Sequence, residues 1–260
     1  MAMAAKVLTI DRRPARSAGG INYRLLAGAM LTLSVIFVSI RLYQQFFAWT
    51  VGLDSTSPEF QTHWMRLLYG EFFVEGVAAA AIWGWLWKTR DLNLAALEPS
   101  EEIKRYLRLI GWLLMYVFAV YWTEFFAEQD ATWHQTVVRD TEFTPSHIPL
   151  FFGAMPVFII MGVSSYLYAR TRIPQFARAH SVPFLIAVAG PFMMLPNVGF
   201  NEWGHTFWIM EEIFSAPLHA GFVVFAWAAL CLGGILMQAI PRIIELAQGE
   251  AQRAVRPVTG

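Results

Sequence analysis

Taken as a succession of apolar and polar positions, the chain divides into six apolar runs joined by short polar stretches. The runs lie at about 23–48, 64–87, 107–126, 147–168, 182–200 and 206–240. Each is near or above the ~20 residues that cross a hydrocarbon layer. The pattern therefore predicts an all-α, polytopic transmembrane helical bundle of about six spans. The sixth run is too long for one straight crossing, since at 1.5 Å per residue it would reach roughly 50 Å. Pro217 is where it is expected to break.

The polar joints alternate in charge. Residues 88–108 carry Lys88, Arg90, Lys104, Arg105 and Arg108; residues 169–181 carry Arg170, Arg172 and Arg178; the C-terminal end carries Arg242, Arg253 and Arg256. The intervening joints 49–63 and 196–205 hold no Lys or Arg, and 127–146 holds only Arg139. Basic joints stay on the cytoplasmic side, so both termini are expected there, with the other joints on the outer side. This divides the chain into an N-terminal cytoplasmic tail at 1–22, a membrane domain at 23–240 and a C-terminal cytoplasmic tail at 241–260. Lys6, Arg12, Arg13 and Arg16 precede an apolar run too long for a cleavable signal. Pro99-Ser100-Glu101-Glu102 reads as a helix start in a solvated turn.

Composition agrees with this reading. Hydrophobic residues make up 57% and charged residues 15%, against roughly a quarter charged in soluble domains; mean hydropathy is +0.45. The net charge of zero gives no support to a nucleic-acid partner. With a single cysteine, Cys231, the chain has no intrachain disulfide or thiolate cluster, so any metal must be held by nitrogen and oxygen. Eleven Trp and 21 Phe suit lipid-facing surface and interfacial belts. Glycine-rich phosphate loops, GxSxG, HExxH and CxxCH are absent. Six histidines are also too few for the histidine boxes of membrane di-iron hydroxylases.

Against this apolar background, ionisable groups at membrane depth are costly and mark functional positions. Four of the six histidines fall in two parallel patterns. In one, Asp130 and His134 stand four apart, on one helix face, and His147 follows 13 residues later, after a Thr144-Pro145-Ser146 helix start. In the other, Asn201 and His205 stand four apart and His219 follows after 14 residues. On one continuous helix His205 and His219 would lie about 21 Å apart, so a shared metal requires the chain to turn back near Pro217. Two imidazoles with a carboxylate suit non-haem iron, zinc or copper, and spacing does not choose among them. The alternative is solvation or helix capping at the water interface. Glu71 and Glu75, Glu124 and Glu128, and Glu211 and Glu212 are further carboxylates in or near the runs. Glu71 is expected to pair with Arg41, Arg66 or Arg139, and Glu211 and Glu212 to orient ligating histidines. The run Gly76–Ala81 permits close helix packing. His63 and His180 are given no site role.

Longer stretches carry a resemblance. LWKTRDLNLAAL (86–97), EQDATWHQTVVRDTEFTPSH (128–147), GPFMMLPNVGFNEWGHTFWIMEE (190–212) and APLH (216–219) resemble the C subunit of the copper membrane monooxygenases. That family comprises particulate methane, ammonia and short-chain hydrocarbon monooxygenases, and the likeness covers about residues 40–240. It implies a copper-binding membrane protein that assembles with the A and B subunits as a trimer of heterotrimers in a bacterial inner membrane. The complex hydroxylates methane, short-chain alkanes or ammonia with O2 and a reductant such as quinol. Carried over, one copper site falls on Asp130, His134 and His147 and a second on Asn201, His205 and His219, with zinc able to substitute; which of the two is catalytic stays open. Ala131, Glu142, Phe200 and the stretch Thr123–Ala127 depart from the usual pattern, pointing to a divergent member without disturbing the ligand set. The rival functions are an assembly protein with structural metal sites and a proton- or ion-conducting protein.

Overall fold

The computed structural model describes residues 20–137, 143–189 and 226–255, which form helices joined by turns. Helix α1, Tyr23–Phe47, begins on Asn22, whose side chain accepts the Leu25 N–H at 3.1 Å. A tight turn follows, with Gly52 at φ 63°, where a side chain would meet the Phe60 backbone at 2.8 Å. Helix α2, Pro58–Lys88, starts on Ser57, which accepts the Phe60 N–H at 3.2 Å. Pro58 occupies the first helical position, where no N–H is needed. A π-helical turn, Gln61–Met65, interrupts its first part.

Helix α3, Pro99–Val137, is 39 residues long, roughly 58 Å at the α-helical rise. It starts at the predicted Pro99 signal and overruns the apolar run 107–126 at both ends, so its termini carry polar residues beyond a hydrocarbon layer. Helix α4, Ile148–Arg172, opens with a π-helical segment, Ile148–Ala154. A short α5, Pro174–Arg178, and α6, 182–189, lead to residues outside the described set. Helix α7, Ala226–Val255, runs past the predicted end of the last span at 240. Among the described residues, five helices are long and apolar enough to cross a membrane. The second half of the fifth predicted span and most of the sixth, including the break at Pro217, lie outside the described residues.

α3 is the centre of the bundle. It packs most extensively on α4 and also on α7 and α1. Half or more of the most apolar windows of α3 and α4 are buried (50% and 61%), against 6% for α1 and 11% for α2. The outer helices therefore present apolar side chains such as Leu31, Phe46, Phe72 and Phe73 outward, as expected of surface that faces lipid or another protein. Within α2, Gly76 of the small-residue run faces open space among the described residues.

The basic end of the bundle is tied by arginines. Arg172 is 9% exposed and donates to the carbonyls of Leu86 and Thr89 and to the Thr89 hydroxyl, closing the end of α2 onto α4. Arg105 donates to the Arg172 carbonyl at 2.9 Å and pairs with Asp91 at 2.7 Å. Arg242 of α7 pairs with Glu102 of α3 at 3.0 Å; Glu102 is 4% exposed, so the predicted solvated turn contains a buried interhelix ion pair. The Asn93 N–H and the Arg105 guanidinium hold the Asp91 carboxyl below its ordinary value of 3.8.

Arg242→Ala would leave Glu102 buried without its partner. Because Arg242 is partly exposed, the cost lies between that of a surface and a buried pair, about 1–3 kcal/mol. The expected result is a lower thermal unfolding midpoint in detergent, partly restored by Arg242→Lys; an unchanged midpoint would show that the pair does not hold α7 to α3. For Asp91, a lowered folded-state value means stabilisation present above the unfolded value and lost as pH falls through the folded one. The difference in unfolding midpoint between wild type and Asp91→Asn is expected to be constant from neutral to about pH 5 and to shrink below it.

Candidate metal centre

At the opposite end of the bundle, the last turns of α3 meet the first turn of α4. Asp130 and His134 lie on one face of α3, as their spacing predicts. His147 is brought to them by the turn before α4, where Thr144 acts as the helix start: its hydroxyl accepts the His147 N–H at 3.1 Å. The Ile148 N–H bonds the Thr144 carbonyl at 3.4 Å and begins the π-helical segment.

The three side chains converge. His134 Nε2 is 2.9 Å from His147 Nε2, 3.3 Å from Asp130 Oδ1, and His147 Nε2 is 3.4 Å from Asp130 Oδ2. One ligand atom from each lies within 4.8 Å of the others, an arrangement that could hold a metal ion. Two nitrogens 2.9 Å apart match neighbouring ligands each about 2.0–2.1 Å from a common centre. The donor set therefore fits a first-row metal in both chemistry and spacing.

The surroundings fix these groups. Ser146 donates to Asp130 Oδ1 at 2.6 Å and shares a 3.1 Å hydrogen bond with Thr144. His134 (6% exposed) stands edge-on to Trp133, and His147 (2%) edge-on to Phe151, with ring centroids 5.2 and 5.0 Å apart. Ser146 also lines a small cavity with Arg41, Gln44 and Gln129. Gln44 Oε1 is buried there with no hydrogen-bond partner among the described residues.

The second predicted triplet, Asn201, His205 and His219, lies outside the described residues, as do Glu211 and Glu212. Glu71 differs from expectation. Both of its oxygens are buried with no hydrogen-bond partner among the described residues, and neither Arg41 nor Arg66 pairs with it; Arg139 is outside the described set. Glu71 instead faces Gly153 of α4, where a methyl group would lie 2.8 Å from Oε1. Glu124, 9% exposed, likewise leaves Oε1 without a partner among the described residues. Two features escape sequence reasoning. Ser146 reads there only as part of a helix start, although its place immediately before a ligand-type histidine is a usable signal. His63 has no site role in the sequence, yet its Nδ1 lies 3.0 Å from the Tyr43 hydroxyl; nothing in their 20-residue separation announces that pairing.

No curated protein matches the chain in sequence. A family model does match, over residues 9–250, and its span takes in the convergent triad and all or most of every helix described above. By that match the chain belongs to the AmoC family, the C subunits of ammonia monooxygenase/methane monooxygenase.

Proposed function

We propose that this chain is the copper-binding membrane component of a monooxygenase complex that hydroxylates methane, short-chain alkanes or ammonia, using O2 and a reductant such as quinol. The observation that carries the reading is the convergence of Asp130, His134 and His147 at the junction of α3 and α4. In this reading the two Nε2 atoms and the Asp130 carboxylate hold the metal, and Asn201, His205 and His219 form a second site. Copper, when bound, supplies O2 activation and electron transfer. The protein's own part is to orient and to exclude water. Ser146 fixes the carboxylate, while Trp133 and Phe151 set the two rings. Apolar residues around the histidines admit a small apolar substrate more readily than water. The partner A and B subunits, in a trimer of heterotrimers, would cover the exposed apolar faces of α1 and α2. The membrane is a bacterial inner membrane, with the arginine-rich end, both terminal segments (1–22 and 241–260) and their basic residues in the cytoplasm. The triad then lies toward the outer side.

A second reading is favoured by one feature. The triad joins the end of α3 to the start of α4, so a bound metal would also clamp that junction, and its role would then be assembly. His134→Ala separates the two. If the site serves the reaction, complexes carrying His134→Ala assemble, lose metal and lose turnover on ammonia, methane, ethane and butane; full metal content and turnover would exclude both roles for this triad. A purely structural site predicts lost assembly with an unchanged rate per intact complex. Ser146→Ala keeps all three ligand atoms but frees the carboxylate, and is expected to weaken metal binding about 10–100-fold, measured by competition with a chelator.

A further inference from the structure

Aromatic side chains lie between the Asp130–His134–His147 triad and the surface of the chain, two of them packed in one buried apolar cluster, and ligand binding alone does not account for them. The His134 ring is 5.2 Å from Trp133. Trp133 and Trp64 are 1% and 0% exposed and belong to one apolar cluster with Ala48 and Ile148. Trp64 is 5.4 Å from the ring of Tyr43. Tyr43 and His63 are only partly buried, so they stand at the surface of the chain.

Two details suit these side chains to electron movement. Each indole N–H donates to a carbonyl just past the end of α1, Trp133 to Ala48 at 2.6 Å and Trp64 to Val51 at 2.8 Å. Those bonds fix both rings and place a carbonyl oxygen where it stabilises a positive charge on the indole. At the outer end, a phenol that loses an electron becomes a strong acid and must release its proton. The Tyr43 hydroxyl lies 3.3 Å from the His63 carbonyl and closer, 3.0 Å, to His63 Nδ1, which is the basic atom placed to take the proton when Nε2 carries the ring hydrogen.

We infer that Tyr43 and His63 form a redox-active pair, connected through Trp64 and Trp133 to the metal centre, which removes oxidising equivalents left there when no substrate consumes them. In balance, the Tyr43 O–H gives one electron to the indole chain and its proton to His63 Nδ1, yielding a neutral phenoxyl and an imidazolium. Trp64 and Trp133 would each pass on one electron and regain one, the final acceptor being the O2-oxidised metal that Asp130, His134 and His147 would hold. One electron from the monooxygenase's own reductant, with the proton returned by His63, restores the phenol. The inference rests on the reading of Asp130, His134 and His147 as metal ligands.

The test uses the complete complex in native membranes, metal-loaded and reduced, mixed with O2 in the absence of hydrocarbon or ammonia and freeze-quenched for electron paramagnetic resonance. The expected result is a phenoxyl signal whose hyperfine pattern changes with ring-deuterated tyrosine. It should be lost in Tyr43→Phe at unchanged metal content and unchanged turnover on saturating substrate, and form more slowly in His63→Leu. A merely structural aromatic cluster would not move such a signal. A loaded wild type with no radical, or a radical undiminished by Tyr43→Phe, overturns the inference while leaving the ligand reading intact. If His134→Ala keeps the full metal content, the ligand reading fails, and the link from Tyr43 to that centre fails with it.

Discussion

The constraint on which this structure turns is that polar groups removed from water must be satisfied by one another. At the junction of α3 and α4, His134 and His147 are buried and Asp130 is partly so, and one nitrogen or oxygen atom from each lies within 4.8 Å of the others. That crowding sets the local geometry. α3 must stay helical far enough beyond its apolar run to present Asp130 and His134 on one face. The chain must then return through a short polar segment, and Thr144 must end that segment so that His147 arrives in the first turn of α4. The α3–α4 packing fixes the distance between the two contributions.

Polar groups at the two ends of the bundle are used in opposite ways. At the basic end, Arg172, Arg105 and Arg242 direct their hydrogens to backbone carbonyls and carboxylates, and the result is closure of α2, α4 and α7 around α3. Arg172 also lies over the rings of Trp85 and Tyr168, so its charge is both bonded and packed. The triad end instead brings nitrogen and oxygen atoms of Asp130, His134 and His147 to within 4.8 Å of one another. A fold stapled at one end and convergent at the other can keep the three triad side chains in register while α1 and α2 expose apolar faces to their surroundings.

Much of this is legible in the sequence because membrane depth makes composition informative. All six apolar runs correspond at least in part to described helices, the last two only in part, and the four-residue spacing of Asp130 and His134 predicts a shared face that the helix provides. Thr144-Pro145-Ser146 announces the start of α4. Other features depend on which helix faces which, and no periodicity within one helix reports that. Glu71, expected to find an arginine, instead faces Gly153 on α4. Glu102 looks like a residue of a solvated turn, but α7, more than a hundred residues later, returns Arg242 to cover it. The Tyr43–His63 contact depends on the turn at Gly52, which folds α2 back against the end of α1.

The close approach of the three groups at the triad constrains what it can hold. Asp130 already receives a hydrogen from Ser146 on Oδ1, and a carboxylate offers none of its own when ionised. His134 Nε2 and His147 Nε2 face each other at 2.9 Å. If neither carried a hydrogen, two nitrogen lone pairs would oppose each other beside an anion in a poorly solvated place. If both carried one, two hydrogens would compete for a single short gap. The arrangement is relieved when something electropositive stands between the two nitrogens and the carboxylate: a single shared proton, or a metal ion that accepts all three lone pairs at once. A proton satisfies one pair of atoms. A cation of two charges, held at ordinary ligand distances, would meet all three groups at once, which is the arrangement that the proposed metal site requires.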